Sequence, residues 1–92
     1  MENYYVYILY SSRANRYYVG QTNDLSRRLI KHNSGFVLST KPYLPWELKL
    51  SLHKSSRSEA MALERKLKNL GHARLQAFIV KYSIGPVADA NE

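Results

Sequence analysis

At 92 residues the chain has room for one domain with a modest core, and its net charge of +7 with a pI near 9.8 directs it to a polyanion, nucleic acid first. The absence of cysteine excludes disulfides, thiolate metal sites and a cysteine nucleophile, and the scattered His32, His53 and His72 form no zinc pattern. No apolar run approaches the roughly 20 residues that cross a bilayer, and the N-terminus lacks the pattern of a signal peptide, so the expectation is a cytoplasmic protein with no membrane partner.

"NYYVYILYS" (3–11) is aromatic and β-branched and reads as a strand, and "RYYVGQ" (16–21) reads as a second, joined through the polar "SRAN" as a hairpin. Tyr4, Val6, Ile8 and Tyr10 form the more apolar set of the first strand, which predicts that they face the core and that Tyr5, Tyr7 and Leu9 lie on the non-core face. An even-numbered loop places Tyr7 and Tyr18 together on that second face.

Asn23 or Asp24 caps a helix that runs to about Asn33 and closes at Gly35. Leu25 and Leu29 make its buried stripe, with Arg28 and His32 one turn apart along the edge. Residues 34–46, "SGFVLSTKPYLPW", form a loop, and "ELKLSLHK" then alternates Leu48, Leu50 and Leu52 with polar residues as a third strand. "SRSE" (56–59) is a capping box that opens a helix with Ala60, Leu63, Leu67 and Leu70 on one stripe, ended by Gly71. A last helix carries Leu75, Phe78, Ile79 and Tyr82. Residues 1–83 read as the domain and 84–92 as a flexible C-terminal tail.

Two features call for chemistry. Between Ser11 and Trp46, Arg13, Arg16, Arg27, Arg28, Lys31 and Lys41 stand against a single acid, Asp24, which predicts a basic face. Glu64 falls about 40° from Ala60 on the helical wheel, at the edge of the apolar stripe, where an ion pair with Lys68 would also account for it.

"YVY" (5–7), "YVG" (18–20), Arg28, His32 and "ALERKLK" (62–68), in this order and spacing, resemble a GIY-YIG nuclease domain over residues 3–81. The likeness is greatest to the small stand-alone bacterial members, related to the nuclease domain of the repair excinuclease. It implies an α+β fold, a three-stranded antiparallel sheet flanked by about three helices. It also implies divalent-metal-dependent hydrolysis of DNA phosphodiesters, with one Mg²⁺ or Mn²⁺ and no small-molecule cofactor. The resemblance places the catalytic residues at Tyr7, Tyr18, Arg28, His32 and Glu64, with Glu64 as the metal ligand. Tyr5 replaces the first glycine of the motif, and Gln21 stands where excinuclease relatives often carry lysine.

The chemistry suits these groups. One carboxylate can suffice for Mg²⁺ when water and phosphate complete its shell, and Arg28 offers a planar, permanent cation to a phosphate. Tyr7, or else Tyr18, would activate water, with His32 as orienting partner or proton shuttle. Nucleic-acid contacts are expected from Arg13, Arg16, Gln21, Arg27, Lys31, Ser39, Thr40 and Lys41, on DNA or on RNA, by a monomer or weak dimer. A binding module that kept the fold and basic face without catalysis is the alternative, and a protein adaptor is a third reading.

Overall fold

The computed structural model describes residues 3–89. In chain order it contains β1 (Tyr4–Ser11), β2 (Arg16–Thr22), α1 (Leu25–Asn33), a short 3-10 turn (Lys41–Tyr43), β3 (Glu47–Lys54), α2 (Arg57–Lys68) and α3 (His72–Asp89). The three strands form one antiparallel sheet in the order β2-β1-β3, an α+β arrangement.

β1 is the central strand, and this changes the expected burial. Val6 and Ile8 pack with Val19, Ala60, Leu67 and Leu75 beneath α2 and α3. Tyr7 and Leu9, expected on a non-core face, are equally buried, in a second core with Trp46 that Leu25, Leu29 and Leu44 cover. The period-2 reading sorted the side chains correctly between faces, but both faces are covered because α1 and the 34–46 loop close the second one.

The hairpin loop spans residues 12–15, and Asn15 takes a positive φ of 52° at its end. The resulting register sets Tyr7 opposite Gly20 and Leu9 opposite Tyr18. Tyr7 and Tyr18 therefore lie diagonally on one face, with ring centroids 6.3 Å apart.

Asp24 is the cap of α1. Its carboxylate accepts from the Arg27 N–H at 3.1 Å, and past the helix end Gly35 takes a φ of +84°, the left-handed conformation that favours glycine. β3 has a bulge: Ile8 pairs with Leu50 but Leu9 pairs with Leu48, so Lys49 is skipped. The expected alternation of Leu48, Leu50 and Leu52 breaks there, and Leu48 ends 39% exposed. Ser56 caps α2 by accepting from the Glu59 N–H at 3.2 Å, while Ser55 donates to the Glu59 carboxylate. Helix α3 continues through Asp89, six residues beyond the point where a tail was expected, and 90–92 lie outside the described residues.

Candidate active site

Four of the five residues singled out for catalysis meet on the Tyr7 face of the sheet. Tyr7 comes from the central strand, Tyr18 from edge strand β2, and Arg28 and His32 from successive turns of α1. Capping at Asp24 sets the start of α1, and Leu25 and Leu29 seat it on the second core, so Arg28 and His32 are turned toward the tyrosines.

The Tyr7 hydroxyl is the centre of the cluster. Its Oη lies 2.9 Å from His32 Nε2 and accepts from Arg28 Nε at 3.4 Å. His32 is completely buried, not at an exposed helix edge, and its ring meets Tyr7 and Tyr18 edge-on at 5.7 and 4.9 Å. Its Nδ1 lies 2.9 Å from Thr40 Oγ1.

Gly20 makes room for this arrangement. A Cβ there would sit 2.5 Å from Tyr7 Oη and 2.7 Å from Cζ, so the tyrosine ring rests directly on the strand backbone.

The electrostatics follow from burial beside a fixed cation. Burial pushes the Tyr7 phenol above its usual range; the Arg28 hydrogen bond opposes this, but the desolvation of a phenolate dominates. The His32 imidazole is pushed down to about 4, first by burial and then by the Arg28 charge. Arg28 itself is held more firmly protonated, chiefly by its hydrogen bond to Tyr7. At neutral pH the cluster is thus a neutral phenol and a neutral imidazole beside one guanidinium.

Glu64 comes from α2. It is paired with Lys68 Nζ at 3.0 Å, with the carboxylate side chain 20% exposed. Its negative charge is felt at Tyr7 as a further upward push on the phenol. Lys68 and Tyr18 line one groove of about 410 Å³ along β2, so the partner of Glu64 shares that groove with one tyrosine of the cluster. Among the described residues no three His, Cys, Asp or Glu side chains converge. Glu64 nevertheless suits a hard divalent ion that keeps most of its water, which would compete with the Lys68 ammonium 3.0 Å from the carboxylate.

The expected nucleic-acid residues divide by position. Arg27, Arg28 and Lys31 line a groove of about 590 Å³ with Thr22, Asn23 and Asp24. Arg16 lies with its guanidinium 4.4 Å over the Tyr43 ring, and Arg13, Ser39 and Lys41 are exposed. Gln21 pairs with Val6, which puts it on the α2 face, opposite Tyr7 and Arg28. Thr40 is the correction: it is fully buried, with its hydroxyl on His32 and Val37, and presents nothing to a phosphate.

Sequence reasoning passed over the residues that hold this face closed. The Asn33 side chain accepts from the Trp46 N–H at 2.7 Å and donates to the Trp46 carbonyl at 3.0 Å, and Trp46 Nε1 donates to the Thr40 carbonyl at 2.8 Å. No local pattern announces these bonds, because they join residues across a loop. The tryptophan directly after "YLP" was the available sign that the loop has an anchor.

A tyrosine pair, a helix arginine and a histidine gathered on one face of a three-stranded antiparallel sheet match the GIY-YIG class of domain. The chain belongs to the GIY-YIG catalytic-domain family, whose model matches residues 3–76. It is similar to the UPF0213 protein of Streptococcus pneumoniae, 37% identical over 76 residues that cover 82% of this chain and 76% of that one. It is also similar to a UPF0213 protein of Halobacterium salinarum, 35% identical over 75 residues, covering 80% and 96% of the two chains. The solution NMR structure of a UPF0213 protein from Bacillus halodurans superposes with a TM-score of 0.55 at 33% identity, covering 85% of this chain and 83% of that one.

Proposed function

We propose that this chain is a divalent-metal-dependent endonuclease that hydrolyses DNA phosphodiester bonds. The observation that supports it best is the convergence of a guanidinium and a buried imidazole on one phenol oxygen, beside a basic groove. Membership in a family of catalytic domains points to nucleic acid as the substrate.

In this reading Arg28 holds the scissile phosphate, where its planar donors and permanent charge oppose the negative charge that builds on the phosphoryl oxygens. Tyr7 takes the proton of the attacking water, and Tyr18, which lines the separate groove along β2, positions that water or substitutes for Tyr7. Because the Tyr7 pKa is raised, the residue begins the reaction as a phenol and can accept a proton only as its own leaves toward His32. Glu64 would hold the divalent ion, which lowers the pKa of bound water and neutralises developing charge. Arg27 and Lys31 then follow the phosphodiester backbone from the site along α1. Residues 3–83 supply the site, and the end of the chain is proposed to take no part in it.

The test is cleavage of supercoiled plasmid and of labelled single-stranded and branched DNA, with Mg²⁺, Mn²⁺ or chelator, by wild type and Glu64→Ala. The expected result is metal-dependent cleavage that the substitution abolishes, and Tyr7→Phe should lower it steeply. The Glu64–Lys68 ion pair favours one second reading, a binding module whose carboxylate is already neutralised. Binding of these substrates without cleavage under either metal would establish that module in place of the nuclease.

A further inference from the structure

Thr40 stands eight residues from His32 in sequence, yet it is fully buried against the imidazole. Its surroundings bear on the direction of the hydrogen bonds in the cluster. Trp46 Nε1 donates to the Thr40 carbonyl at 2.8 Å, the Thr40 N–H donates to the Val37 carbonyl at 3.1 Å, and Thr40 Oγ1 donates to that same carbonyl at 3.3 Å. The Lys41 N–H also donates to that carbonyl, at 3.0 Å. A carbonyl can only accept, so with the single hydroxyl proton of Thr40 directed to it the Thr40 oxygen is left to accept from His32 Nδ1 at 2.9 Å. At the other end Arg28 Nε can only donate, which makes Tyr7 Oη its acceptor and leaves the phenol proton for His32 Nε2. Among the described residues no buried side-chain polar atom is without a partner.

We propose that Thr40 is a positioning residue that locks His32 in the Nδ1–H tautomer, so that the Nε2 lone pair faces Tyr7 and is the only acceptor its phenol proton has. The opposite tautomer would set Nε2–H against the phenol, which then has no internal outlet for its proton, and would need the Thr40 hydroxyl proton to leave the Val37 carbonyl for Nδ1. The chain ends at the Val37 carbonyl, which takes up no proton, so Thr40 orients the imidazole and transports nothing. In the proposed reaction the water proton forms a bond to Tyr7 Oη as the O–H bond of Tyr7 breaks and that proton moves to Nε2. The hydroxide oxygen bonds to phosphorus, and the bond to the leaving oxygen breaks with its electron pair on that oxygen. The imidazolium later returns its proton to Tyr7, which releases its other proton to solvent. This inference rests on the nuclease reading for its catalytic part, while the tautomer is a property of the protein alone.

The first measurement is a long-range proton–nitrogen correlation spectrum of the full chain, labelled with ¹⁵N-histidine, at neutral pH and without metal. His32 should show a protonated Nδ1 and a bare Nε2 in wild type and Thr40→Ser. Thr40→Val, which keeps the shape but cannot accept, should lose that signature and lower kcat for DNA cleavage by about tenfold or more with KM little changed. Thr40→Ser should restore cleavage to within about threefold of wild type. A bare Nδ1 in wild type overturns the proposal without recourse to any variant, as does a folded Thr40→Val that keeps both signature and turnover. If the wild-type tautomer is as stated and no metal supports cleavage, the tautomer assignment holds and the nuclease reading fails.

Discussion

Replacing Gly20 by alanine isolates the contact on which the site is built. Gly20 is not in the left-handed region, so its backbone accepts alanine, and alanine in place of glycine should by itself stabilise a strand by about 0.4–1 kcal/mol through the unfolded state. The structure gives the opposite sign. The new Cβ would fall 2.5 Å from Tyr7 Oη, 2.7 Å from Cζ and 3.1 Å from Tyr18 Cε2. Tyr7 is 1% exposed and pinned by His32 and Arg28, so its ring cannot swing out without breaking the cluster. Overpacking of this kind costs about 1–3 kcal/mol, and loss of the buried Tyr7–His32 bond adds about 1–3 more. Less the glycine gain, the expected penalty is therefore about 1–5 kcal/mol, a fall in Tm of at least about 4 °C for a domain of this size. Urea denaturation of wild type, Gly20→Ala, Tyr7→Leu and the double variant closes a thermodynamic cycle. Leucine removes both Oη and Cζ, so the glycine substitution should cost less in that background, with a coupling above about 1 kcal/mol. A penalty below about 0.5 kcal/mol, or the same penalty in both backgrounds, would refute the reasoning.

Acid should weaken the fold through His32. Its pKa is near 4 when folded and near 6.5 when unfolded, so between those values the unfolded chain holds the extra proton and stability falls as pH drops, by up to about 3 kcal/mol. Above pH 6.5 this contribution is complete. Denaturation at pH 7, 5.5 and 4 for wild type and His32→Gln checks it, and parallel losses in the two proteins would count against it. Arg28→Met removes the lesser of the two causes, so the His32 pKa should rise from about 4 yet stay below 6.5, because burial remains; an NMR titration reads this directly. Arg28→Lys keeps the charge but loses the planar donors, and should cut DNA cleavage by about a hundredfold. Asn33→Ala frees both backbone groups of Trp46, at a cost of about 1–3 kcal/mol. Because Trp46 is the sole tryptophan, a red-shifted emission should accompany the loss, and an unchanged spectrum would show that the clamp does not hold the loop.

Much of the architecture was written in local patterns. Alternation in "YYVYILY" and "ELKLSLHK" marked strands, Asn23 or Asp24 and the capping box at Ser56 marked helix starts, and a four-residue loop brought Tyr7 and Tyr18 to one face. The order of tyrosines, glycine, arginine and glutamate was enough to indicate the family, whose model matches residues 3–76. Periodicity tells which side chains share a face, but not what covers that face. Burial of Tyr7 and Leu9 followed only once α1 and the 34–46 loop closed over the second side of β1. The skipped Lys49 that exposes Leu48 was equally invisible, since a bulge is a property of strand pairing. Thr40 shows the limit most clearly. In sequence it is one hydroxyl in a polar loop, suited to a phosphate, but folding turns it inward to His32. What decides its place is the closure of that loop by Asn33 and Trp46, thirteen residues apart, and such pairing depends on tertiary contacts that no short stretch of chain encodes.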